Sequence, residues 1–153
     1  MIRSVGRVLV AVVFGAAASV GLAQQGAGDG IVVRDAWISE ASTVQKGTGA
    51  FLVIENHTSS PVSLVSGDVP GVGVVELHTM KVENERMSMV PVKDIVVPAN
   101  GSVELKPGSF HMMLFNLSTA FEPGSTSTVT LRFSNGVAKT VTAQVRKRGG
   151  TRQ

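Results

Sequence analysis

The 153-residue chain contains no cysteine. That excludes a disulfide framework, a thiolate metal site and the cysteine on which a lipoprotein anchor is built. A blue-copper electron carrier, whose site needs a thiolate with two histidines, is excluded on the same ground. Helical periodicity is also missing, for no segment of the chain after the leader repeats apolar residues at amphipathic spacing. Catalytic signatures are equally scarce: no Gly-x-Ser-x-Gly elbow and no Gly-x-x-x-x-Gly-Lys phosphate loop occur. Basic residues form no stripe interleaved with aromatics, so nucleic acid is not an expected partner. Neither a repeat, a low-complexity tract nor a second domain is visible.

What is present begins with Arg3 and Arg7, an apolar run from Val8 to Leu22 and a small-residue end at Gly21-Leu22-Ala23. This order is that of a secretory signal peptide over residues 1–23, too short for the roughly 20 apolar residues of a membrane span. Arg3 and Arg7 are not an adjacent twin-arginine pair, so ordinary export is expected, with cleavage, a periplasmic location and no stable membrane anchor. Without the leader, 130 residues remain, enough for one domain with its own core. The chain's net charge of +3 owes two units to Arg3 and Arg7, which leaves twelve basic against eleven acidic side chains. Residues 24–30 read as a small-residue linker, residues 31–145 as the domain and 146–153 as a basic, flexible tail.

Within the domain, short β-branched runs alternate with Gly, Pro, Asn and Ser. Nine strands are expected: 31–38, 48–56, 62–66, 72–82, 87–92, 102–105, 110–117, 127–133 and 137–145. Such spacing predicts an all-β, single-domain antiparallel sandwich. Asn135-Gly136, Asn100-Gly101 and Pro107-Gly108 mark turns, and Trp37 in the first strand reads as core. His57, in a polar turn, reads as solvated. Asn56-His57-Thr58 matches the glycosylation triplet, a pattern short enough to arise by chance.

Apart from Met1, all the methionines fall between His78 and Met113, as do two of the three histidines. They stand as His78-Thr79-Met80, Met87-Ser88-Met89 and His111-Met112-Met113. Residues two apart on a strand share a face, so His78 with Met80, Met87 with Met89, and His111 with Met113 are three same-face pairs. If residues 83–86 turn the chain, Met80 and Met89 face each other and His78 lies diagonal to Met89. Met112 points the other way, into the core. Methionine as core filler would be scattered; clustered beside two histidines, it forms a soft sulfur and nitrogen donor set suited to Cu(I), whereas zinc would recruit thiolate or carboxylate.

His78, Met89, His111 and Met113 stand in the order H-x10-M-x21-H-x-M. With Asp35-Ala36-Trp37-Ile38, Ile54-Glu55-Asn56, Val75-Glu76-Leu77-His78, Leu105-Lys106-Pro107-Gly108 and His111-Met112-Met113-Leu114, this text resembles the periplasmic copper chaperones called PCuAC. The resemblance runs from about residue 31 to 145. It implies a cupredoxin-like, Greek-key sandwich without catalysis, and Cu(I) ligation by His78, Met89, His111 and Met113, with Met80 and Met87 as auxiliary donors. It also implies delivery of copper to the CuA site of cytochrome c oxidase subunit II, sometimes with a Sco-type thiol protein; a monomer is expected. A copper buffer or tolerance protein without a dedicated recipient is the alternative. The chain departs from many members at Thr79, where an acidic residue is usual, and its tail lacks the histidines and methionines of members with a second copper, so one site is expected.

Overall fold

A computed structural model describes residues 29–149. The leader, most of the linker and the last four residues lie outside it. Ten strands and no helix occur among the described residues: β1 (Ile31–Ser39), β2 (Gly47–Asn56), β3 (Val62–Asp68), β4 (Val72–Glu83), β5 (Arg86–Pro91), β6 (Ile95–Val97), β7 (Gly101–Leu105), β8 (His111–Leu117), β9 (Thr126–Phe133) and β10 (Ala138–Arg146). The expected nine are all there. The addition is β6, three residues bounded by Pro98 and held against Val62–Leu64 of β3.

Nine strands run β5, β4, β8, β2, β1, β10, β9, β3, β6 across one continuous sheet, and β7 joins it through β2. β2 changes partner midway: Gly47–Ala50 pairs with β8, whereas Leu52–Asn56 pairs with β7. The sheet folds back so that β3 packs on β4 and β6 on β7 across the core. That core holds Ile38, Leu52, Ile54, Leu64, Ile95, Leu105, Met112, Leu114 and Leu131, all nearly fully buried. Closure is tight at Gly67 of β3, where a Cβ would collide with the Met112 side chain of β8. The fold class is the expected all-β, cupredoxin-like one.

Three details correct the reading of the sequence. One pairing is parallel, that of β1 with β10 over Trp37–Ser39 and Gln144–Arg146. Parallel neighbours need a long crossover, and here the rest of the domain supplies it. Trp37 is not core. Asp35 takes a positive φ of 55°, and between Arg34 and Trp37 the β1–β2 register shifts by one residue. This bulge reverses the alternation of faces, so Ile31 points inward before it, Ala36 and Ile38 after it, and Trp37 outward. Finally, the last strand includes Arg146, and the Arg148 amide donates to Glu40 Oε1 at 3.0 Å, so the tail is tied down at least that far.

At the other end of the domain, burial alone would raise the Asp29 carboxyl. Hydrogen bonds from Lys139 and the Ile31 amide outweigh that and hold it below its ordinary range. Asn56, fully buried, is the polar pin of the same region. Its Nδ2 donates to the Ser60 and Val97 carbonyls at 2.8 and 3.3 Å, and its Oδ1 accepts from the Thr58 amide and hydroxyl at 3.0 and 2.7 Å. A side chain so enclosed is no glycan acceptor. Asn56→Ala strands these partners and is expected to cost about 1–3 kcal/mol in a denaturation series; a loss below about 0.5 kcal/mol, the ordinary scatter of surface substitutions, would contradict this role.

Candidate metal centre

The register of three strands assembles the centre. On β4 and β8, His78 stands directly opposite His111 and Glu76 opposite Met113. On β4 and β5, Met80 stands opposite Met89. Directly paired residues share a face, as do residues two apart. All six side chains therefore lie on the outer face of the sheet, and the alternate residues Leu77 and Met112 enter the core at 5% and 0% exposure.

The joining hairpin is tighter than a four-residue loop. Glu83 still pairs with Arg86, and Asn84 and Glu85 alone make the turn at φ 49° and 62°, the positive values a two-residue hairpin demands. Shortening the loop by one residue on each side leaves the register unchanged, which is why Met80 and Met89 meet as expected. Thr79 belongs to the opposite face of β4 and points away from these donors.

Both histidines are buried, at 8% and 4% exposure, with ring centroids 5.8 Å apart. His111 Nδ1 lies 2.8 Å from the Ser109 carbonyl oxygen. A carbonyl only accepts, so Nδ1 carries the proton and Nε2 keeps a free lone pair. His78 Nε2 lies 2.8 Å from Glu76 Oε2, while its Nδ1 is buried without any hydrogen-bond partner. An orphaned buried nitrogen costs free energy unless something accepts its lone pair, and a metal ion is such a group. Among the described residues no three of His, Cys, Asp and Glu cluster in a ligating arrangement. The thioethers of Met80, Met89 and Met113 share the face of these histidines, and imidazole with thioether is a donor set that fits a soft cation.

A cavity of about 730 Å³ is lined by Met80, Met89, His111 and Met113, though not by His78. Trp37, stacked on Phe51 at a centroid distance of 4.3 Å, lines it as well, and the Arg146 guanidinium lies 5.4 Å above the indole. Gly49 stands directly across from Met113, and a Cβ there would run into the Phe51 ring, which also lines the cavity. Met89 is half exposed and Met87 more so; Met87 sits farther out on the hairpin, opposite Val82, and does not line the cavity. His57 is remote, at the far end of β2. It contacts Glu55 at 3.2 Å, and that carboxyl is held below its ordinary range first by Arg34 and then by His57.

The sequence reading missed Trp37, Phe51, Gly49 and Arg146 as neighbours of the centre, and took Glu76 only as flanking text. Trp37 and Arg146 arrive from strands distant in sequence, and Trp37 does so by way of a bulge. A β-turn-prone Asp before Ala36-Trp37 was the one local sign, since aspartate tolerates positive φ better than most residues.

Residues 31–145 match the protein family described as "Putative lipoprotein LpqE-like". "Putative lipoprotein Lxx21020" of Leifsonia xyli subsp. xyli is 30% identical over 126 residues, 82% of this chain and 75% of that one. Among solved structures, the copper-bound PCuAC domain from PmoF2 superposes with a TM-score of 0.66 at 18% identity, covering 78% of this chain and 94% of that domain. CuI-DR1885 from Deinococcus radiodurans superposes with a TM-score of 0.60 at 27% identity, over 79% of this chain and 80% of the other.

Proposed function

We propose that this protein, which belongs to the LpqE-like family, is a copper-binding, chaperone-like carrier of one Cu(I) ion, held by His78, His111, Met89 and Met113 with Met80 beside them. The observation that carries the proposal is the cross-strand pairing of two buried histidines, one with an orphaned lone pair, against thioethers on the same outer face. Likeness to a copper-bound PCuAC domain and to CuI-DR1885 supports it.

The arrangement divides the work between its donors. Buried imidazoles fix the ion's place and exclude water, whereas half-exposed Met89 lies where a recipient's ligand can approach before the histidines let go. Every proposed donor is neutral, so a cysteine-rich recipient holds Cu(I) more tightly and wins the exchange. A CuA domain of cytochrome c oxidase is the recipient we propose, with or without a Sco-type thiol protein as intermediary. Export through the leader supplies the compartment. The lipoprotein names of the matched family and of the Leifsonia relative raise membrane attachment, but these residues offer no cysteine to carry a thioether-linked lipid. Fractionation of the host cell distinguishes a released from an attached protein.

Titration of the purified domain with Cu(I) tests the reading. One equivalent should bind, and X-ray absorption should show nitrogen and sulfur scatterers together; a sulfur-free spectrum contradicts it. Mixing the loaded protein with a reduced, copper-free CuA domain should move copper to that domain. Copper retained by the donor, together with normal oxidase and heightened copper sensitivity in a deletion strain, favours the buffering alternative.

A further inference from the structure

We propose that Glu76 is the positioning residue of the centre: by accepting a hydrogen bond from His78 Nε2–H, it commits that imidazole to present Nδ1. The two histidines then meet copper through different ring nitrogens, Nδ1 of His78 and Nε2 of His111. This inference rests on the copper reading above and adds to it an assignment of donor atoms.

Three observations converge on it. The Glu76 Oε2 to His78 Nε2 distance is 2.8 Å, and an ionised carboxylate only accepts, so the proton sits on Nε2. The nitrogen left without a proton is the one with no partner in the protein, buried within a residue only 8% exposed. His111 is held in the opposite tautomer by the Ser109 carbonyl at 2.8 Å, which frees its Nε2. Two fixed tautomers leave one free lone pair on each ring.

Charge gives Glu76 a second reason to be there. The donors proposed for the cation are all neutral, and Glu76 stands directly across from Met113 while bonded to His78. It therefore brings a negative charge within one hydrogen bond of the donor set without taking a ligand position. Carboxylates placed behind ligating histidines fix the ring and raise its basicity. The Glu76 side chain is 46% exposed, so replacing it empties no core space.

Nitrogen-15 NMR of the imidazoles at fixed pH, with Cu(I) competition on the same samples, tests the role. In the metal-free wild type, His78 should carry its proton on Nε2 and His111 on Nδ1. Glu76→Leu should mix the His78 tautomers and weaken Cu(I) binding roughly tenfold to hundredfold. Glu76→Gln keeps an oxygen acceptor for Nε2–H, so it should hold the tautomer and retain most of the affinity. A purely structural Glu76 would shift the melting temperature in both variants and leave tautomers and affinity alone, which overturns the inference. So does a wild type with the His78 proton on Nδ1. A wild type that shows the expected tautomers yet takes no Cu(I) overturns the copper reading instead, and the metal-directed role of Glu76 falls with it.

Discussion

Leucine in place of Met113 is expected to give a folded protein that has lost most of its hold on Cu(I). The substitution keeps roughly the same volume and apolar character, and costs about 1.5 kcal/mol or less even in a packed core. Met113 is only partly buried and faces glycine across the strand pair, so the cost should sit at the low end, a few degrees of melting temperature. The thioether, however, is gone. Removing partners one bond behind a ligand already costs about tenfold to hundredfold in metal affinity, and removing the ligand should exceed about a hundredfold. Competition against a chromophoric Cu(I) chelator measures it. An affinity within threefold of wild type would remove Met113 from the ligand set.

The neighbouring residue should give the reverse result. Met112 is fully buried and packs against Gly67 of the facing layer. Met112→Ala leaves a void that the Gly67 backbone cannot fill without moving. The expected loss is about 2–5 kcal/mol, a large share of the roughly 5–15 kcal/mol that holds a domain folded. Melting should drop by about 10 °C or more. Copper affinity of the fraction that stays folded should be unchanged. Two adjacent methionines thus separate stability from binding; a copper-binding defect in Met112→Ala at a temperature where it is fully folded would mean that the two faces of β8 are coupled.

The contrast between those neighbours was legible in the sequence because it depends only on alternation along one strand, and β8 is regular there. The facing of Met80 and Met89 was legible for a similar reason: a symmetric error in loop length leaves a hairpin's register intact. The strand Ile95–Val97 was not, since three residues between Asp94 and Pro98 carry too little periodicity to distinguish a strand from a loop. Its existence depends on β3, which offers Val62–Leu64 as a template. Trp37 was misread for a subtler reason. Counting faces along β1 presumes an unbroken pleat, and the bulge at Asp35 inverts the count for every residue after it. The aromatic and guanidinium side of the cavity depends on that inversion and on the parallel pairing of β1 with β10, and neither has a local signature.

That parallel pair also governs how the chain reaches its native state. Trp37 finds Gln144 only after nearly the whole domain has been synthesised. Contacts this distant in sequence pay loop-closure entropy before they return anything, and β-proteins dominated by them fold in milliseconds to seconds. A nascent or truncated chain ending before Ala138 would leave the backbone of β1 and β9 unpaired along the edges that β10 normally joins. Bare edges of that kind recruit other chains. The final nine-residue strand is thus the step that converts a sticky intermediate into a protein with its sheet closed, and a nonsense or frameshift lesion in that strand should be read out as aggregation before any change in metal chemistry can be observed.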